Sequence, residues 1–134
     1  MPKRPREPQW LGRVVVDAIH NDQLREHGGL PGIRDENVLE SALARPHQKW
    51  HYAERMDAAT LAAAYGFGLV KNHPYRDGNK RIGLLAIVTF LGMNGYDLEA
   101  TDAEVVAEIL ALAEGRLSEE ALADWIRQHS AKRK

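Results

Sequence analysis

In residues 10–26 the apolar positions Leu11, Val14, Val15, Ala18, Ile19 and Leu24 recur at helical spacing and predict a first helix. Gly28-Gly29-Leu30-Pro31-Gly32 ends it in a turn. Asp35 stands where it can cap a second helix through Leu43, with Val38, Leu39 and Ala42 on one face. Arg45-Pro46 closes that helix, because the residue before a proline is pushed out of the helical region. Residues 47–56 carry His47, Trp50, His51 and Tyr52 without a period and read as a loop, a small flap or a hairpin. Asp57 caps an alanine-rich third helix over 58–71. A fourth follows over 79–94. Its stretch 82–91 is apolar on nearly every side, which predicts a place at the centre of the domain. Residues 96–100 read as a connector. Thr101 with Glu104 is a capping-box signature opening a fifth helix to residue 113, and Ser118 caps a sixth carrying Leu122, Trp125 and Ile126. The expected fold is all-α: a helical bundle around one buried helix.

Length and composition narrow the function. A chain of 134 residues suits one domain over 1–134, with 1–9 and 130–134 as flexible ends. There is no cysteine, which removes disulfides, thiolate metal sites and a cysteine nucleophile. Lys and Arg number 18 against 19 Asp and Glu, a net charge of −1, so direct binding to nucleic acid is not expected. No apolar run approaches the roughly 20 residues needed to cross a bilayer, and the proline-rich start is no export signal. A cytoplasmic protein without membrane contact is expected.

The chemistry concentrates in His73-Pro-Tyr-Arg-Asp-Gly-Asn-Lys-Arg81, between the third and fourth helices. Gly78 precedes a helix start whose N–H groups and macrodipole attract anions, phosphate above all. Lys80 and Arg81 add two cationic donors there, where cations oppose the dipole unless an anion is bound. With Asn79 they form the candidate phosphate and nucleotide cradle. Asp77 is the acidic group of the segment, able to ligate a Mg²⁺ shared with phosphates. His73 is suited to take a proton from a hydroxyl near neutral pH. Tyr75 reads as an anchor for the loop. Base, metal ligand and cradle together make the parts for phosphoryl or nucleotidyl transfer.

This segment resembles the Fic/Doc family, whose Fic pattern is H-x-F-x-(D/E)-G-N-G-R-x-x-R. Tyr75 replaces the phenylalanine, Lys80 a glycine and Leu84 the second arginine. The lysine is typical of the Doc (death-on-curing) branch, and residues 28–35, Gly-Gly-Leu-Pro-Gly-Ile-Arg-Asp, are similar to the N-terminal part of Doc toxins. The resemblance implies a Fic-like fold and a toxin that transfers the γ-phosphate of ATP to a threonine of elongation factor Tu. It also implies an antitoxin partner, for which the gap around residues 28–35 is the expected seat. Transfer of AMP to a protein hydroxyl is the alternative implied by the Fic branch. A silent binding module that keeps the cradle is a third reading. The chain has no (S/T)-x-x-x-E-(G/N) inhibitory helix, so inhibition is expected from another chain.

Overall fold

The computed structural model describes residues 7–52 and 57–134. Six helices and one small ladder follow in the order α1 (Arg13–His27), α2 (Glu36–Tyr52), α3 (Ala58–Asn72), α4 (Asn79–Met93), β1 (Tyr96–Leu98), α5 (Asp102–Ala113), α6 (Glu119–His129) and β2 (Ser130–Lys132). The helix starts follow the capping residues. Asp57 Oδ1 accepts from the Thr60 N–H at 3.0 Å, Ser118 Oγ from the Ala121 N–H at 3.0 Å, and Asp35 Oδ1 from the Val38 N–H at 3.2 Å. Thr101 and Glu104 complete a reciprocal capping box.

The helix at the centre is α3, not α4. It packs against α2, α4, α5 and α6. Alanine and glycine fill much of it, so neighbours approach its backbone from several sides. Gly68 abuts Ala42 of α2, and Gly66 and Gly83 let α3 and α4 close on each other. By contrast α4 turns Lys80, Arg81 and Val88 to solvent despite its apolar composition.

Two further expectations are corrected. The second helix does not stop at Arg45-Pro46 but runs on to Tyr52, so residues 47–52 are neither loop nor hairpin. Residues 53–56 of that expected flap lie outside the described residues. Pro46 forfeits one helical hydrogen bond. Beyond it, Trp50 buries to 5 % exposure, and His47 stacks on Trp10 with ring centroids 4.0 Å apart. Burial of a large aromatic stabilises by roughly 1.5–3 kcal/mol, comparable to what proline costs, so the helix continues. The basic C-terminal end is also not frayed over residues 130–132. These pair antiparallel with β1, Leu98 opposite Ser130 and Tyr96 opposite Lys132. Arg133 donates to Asp97 Oδ1 at 2.7 Å and holds that carboxyl below its ordinary range. None of the described helices is long and apolar enough to cross a membrane.

Candidate active site

The segment singled out by sequence is the connection from α3 to α4. The α3 helix ends at Asn72 because the next residue, His73, adopts a left-handed conformation with φ 51° and ψ 57°. Gly78, at φ 79°, caps the start of α4 in a conformation that other residues adopt only under strain. Between these two reversals Pro74 and Tyr75 are buried while Arg76 and Asp77 are exposed. A cavity of about 320 Å³ opens there, lined by His73, Arg76, Asp77, Gly78, Asn79, Lys80 and Arg81. Every sequence-predicted site residue is therefore brought to one cavity.

Their roles differ within it. His73, Lys80 and Arg81 are exposed. Neither Lys80 nor Arg81 has an ion-pair partner among the described residues. The Gly78 N–H is already committed, donating to Asp77 Oδ1 at 2.9 Å. The first-turn N–H groups of Asn79, Lys80 and Arg81 are the donors without intrahelical acceptors. Asn79 is 8 % exposed, and its side-chain amide is committed to the loop backbone. Its Oδ1 accepts from the Tyr75 N–H at 3.0 Å and its Nδ2 donates to the Tyr75 carbonyl at 2.9 Å. Asn79 thus braces the loop and offers the cavity its backbone N–H.

The Asp77 carboxylate leans toward the α1–α2 connection. Its Oδ2 accepts from the Leu30 N–H at 3.3 Å, and a Cβ on Gly29 would lie 2.9 Å from the same oxygen. No cluster of three His, Asp or Glu able to hold a metal exists among the described residues. One carboxylate beside a phosphate cradle still suits Mg²⁺, which commonly takes one or two carboxylates and completes its shell with phosphate oxygens and water.

Sequence reasoning missed the supports of this loop. His20 of α1 is 2 % exposed, donates from Nε2 to the Asp77 carbonyl at 2.8 Å and stacks on Tyr75 at 3.7 Å. The Tyr75 hydroxyl donates to Asp17 Oδ1 at 2.7 Å. Burial, together with Asp17, pushes that phenol far above its ordinary range. Asp17 is held by Arg13, which also forks onto Glu36. Polar residues run through α1, among them Arg13, Asn21, Asp22, Gln23, Arg25 and Glu26, so no local pattern sets Asp17 and His20 apart. Arg76 was also missed, and it adds a third cation to the lining. Residues 32–35 are not an open gap. Arg34 N–H donates to the Pro74 carbonyl at 2.8 Å, Arg76 N–H to the Gly32 carbonyl at 3.1 Å, and Ile33 bridges Tyr75. Residues 28–32, the first part of the expected partner seat, are exposed.

Three cations, one carboxylate and a histidine around a helix N-terminus make an arrangement chemically suited to an anion such as phosphate. Comparison with known proteins narrows that chemistry. The model of the Fic/DOC family matches residues 10–91, and the chain belongs to that family. It is 30% identical over 112 residues to "Protein kinase doc" of Escherichia phage P1, covering 83% of this chain and 87% of that one. It is 39% identical over 74 residues to "Toxin Doc" of Mycolicibacterium smegmatis, covering 54% of this chain and 57% of the relative. Among solved structures it is similar to the BepC protein of Bartonella tribocorum, a VirB-translocated effector crystallised with bound AMPPNP. That match has a TM-score of 0.50 at 18% identity, over 74% of this chain, and spans about half (49%) of the BepC chain. The shared fold is the Fic-like helical one.

Proposed function

We propose that this chain is a Doc-type toxin that transfers the γ-phosphate of ATP to a hydroxyl of a translation protein, with elongation factor Tu as the expected target. The observation that carries the reading is the single cavity that joins His73 to the first turn of α4, Lys80 and Arg81. The relative named a protein kinase and the AMPPNP bound by BepC, an ATP analogue, support ATP as the substrate. The phosphates seat on the N–H groups of Asn79, Lys80 and Arg81, with the Lys80 and Arg81 side chains over their oxygens. His73 takes the proton of the acceptor hydroxyl. That oxygen bonds to the γ-phosphorus, the bond from the γ-phosphorus to the bridging oxygen breaks, and ADP leaves with the electron pair. Asp77 would hold Mg²⁺, which when bound would offset the charge developing on the leaving ADP.

AMP transfer is the competing reading. Lys80 occupies the lining where the AMP-transferring pattern has glycine, and Leu84, half-buried one turn on, stands where it has arginine. Added bulk and charge with a lost clamp favour a seat that presents the γ-phosphate. The toxin relatives support an antitoxin partner that covers this chain. Incubation with ATP labelled separately at the α and γ positions, with elongation factor Tu as acceptor, tests the reading. Gain of one phosphate in intact mass, with ADP released, is expected. Gain of AMP with pyrophosphate released returns the chain to the adenylyl-transfer branch.

A further inference from the structure

We propose that Arg34, in the connection between α1 and α2, is a positioning residue that locks His73 in its left-handed conformation and thereby aims the imidazole into the cavity. The inference rests on the reading of His73 as proton acceptor. Among the described residues His73 is the one non-glycine residue with positive φ, at 51°. That conformation crowds the Cβ of an L-residue against the following carbonyl, and it persists where surrounding contacts over-determine it.

Arg34 supplies those contacts. Its Nε donates to the His73 carbonyl at 2.6 Å and its Nη2 to the Asn72 carbonyl at 2.8 Å. Its own N–H donates to the Pro74 carbonyl at 2.8 Å, joined there by the Asp35 N–H at 3.2 Å. Residue 34 therefore grips three consecutive carbonyls, those of residues 72, 73 and 74. Carbonyls at a helix C-terminus lack intrahelical donors and carry the negative end of the dipole, so a cation there is favoured. The rigid fork of a guanidinium can span two successive carbonyls, which the single ammonium of lysine cannot do in the same geometry. With the fork removed, residue 73 is free to relax to negative φ. The imidazole then leaves the cavity wall it shares with the first turn of α4. Arg34 touches His73 only through its backbone, so nucleotide contacts are left as they are.

The test uses the full chain as Arg34→Ala and Arg34→Lys. Backbone and Cα/Cβ NMR shifts of residues 72–75, with the H^N–Hα coupling of His73, report the conformation without any turnover. Arg34→Ala is expected to move the His73 shifts to negative-φ values. It is also expected to lower kcat for transfer to elongation factor Tu by about 10–100-fold, since misplacement by 1 Å can cost about 10²-fold. KM for ATP should stay within about twofold. Arg34→Lys should fall between, and millimolar methylguanidinium should restore part of the rate to Arg34→Ala. Should Arg34→Ala fail to fold by circular dichroism, Arg34→Lys carries the same measurements. Unchanged His73 shifts, or a kcat within about twofold of the parent, overturn the proposal. A parent chain that transfers nothing refutes the role given to His73, and the shifts alone then decide whether Arg34 holds the backbone.

Discussion

Replacing Gly83 by alanine tests how closely α3 and α4 must pack for the site to exist. A Cβ at residue 83 would lie 2.4 Å from Val70 Cγ2 and 3.4 Å from the Gly66 carbonyl. Carbon atoms need roughly 3.5–4.0 Å, so the gap is short by at least about 1 Å. Val70 is fully buried, and a β-branched side chain in a helix has essentially one rotamer, so it cannot step aside. The helices must separate instead. Overpacking of this kind costs about 1–3 kcal/mol, while alanine regains about 1 kcal/mol of helix propensity. The net expected loss is up to about 2 kcal/mol, or up to roughly 7 °C in Tm for a chain of this size. Val70→Ala alone removes two buried methyl groups, about 1.5–2.5 kcal/mol. The pair should be less harmful than the sum by about 1–2 kcal/mol, because the new methyl occupies the space vacated at residue 70. Urea unfolding followed by circular dichroism measures all four proteins of the cycle. Gly83 lies one turn inside α4, so separation also widens the distance from His73 to the cradle. ATP binding by titration calorimetry should weaken in Gly83→Ala and recover in the double variant. Additivity within about 0.5 kcal/mol, or a more stable Gly83→Ala, would refute the packing argument.

His73→Ala should lower transfer by about 10²–10⁴-fold with ATP binding retained, as steady-state kinetics and calorimetry can check together. Asp77→Asn should weaken Mg-ATP binding more than binding of ATP alone; equal losses would leave Asp77 a turn residue only. His20→Phe keeps a ring on Tyr75 but leaves the Asp77 carbonyl without its donor, and should cost about 1–2 kcal/mol in urea unfolding. At Asp57 burial opposes ionisation, but the hydrogen bonds from Arg127 and Thr60 outweigh it and hold the carboxyl down to about 2. A depressed carboxyl stabilises fully above the unfolded value of about 3.9, and that stability disappears as pH falls toward 2. Asp57 is 39% exposed, so screening reduces its share to about 1 kcal/mol. Asp57→Asn keeps a capping oxygen, so the stability difference between the two proteins should shrink between pH 4 and pH 2, read as urea midpoints.

The parts of the fold that sequence announced are those decided within a few residues. Asp35, Asp57, Thr101 and Ser118 cap through bonds to N–H groups three positions on, and all four helix starts were readable. The α2 extension was not, because Pro46 gives a local stop signal while the burial of Trp50 is a tertiary gain. The central place of α3 was hidden for a related reason. The long apolar run 82–91 lies in α4, but the ability to be surrounded depends on how small the residues are, and α3 is the alanine helix. The β1–β2 ladder joins two three-residue strands that are far apart in sequence, and neither alternates over a length that would show. The candidate site follows the same division. Its lining is one continuous stretch, so the chemistry was legible, except for Arg76 and for the inward turn of Asn79. Its supports, Arg34 and His20, lie 39 and 57 residues from the groups they hold, and nothing in their local spacing marks them.

Of the fifteen residues of α1 only Val16 and His20 are buried. The helix is fastened chiefly by packing on α4 and by point contacts: Tyr75 to Asp17, His20 to the Asp77 carbonyl, and, just before the helix, Leu11 to Tyr65. Elements so lightly fastened open at a fraction of the global unfolding free energy. When α1 lifts away, His20 and Asp17 go with it, and the loop below loses its backing. An anion in the cavity therefore resists the lifting by RT ln(1 + [L]/Kd), although no atom of α1 lines that cavity. Amide protons of α1 become a remote gauge of occupancy, exchanging more slowly as the cavity fills. The relation is reciprocal: whatever clasps α1 in place tightens the cavity for its anion by the same factor, and whatever peels it off empties the cavity from behind.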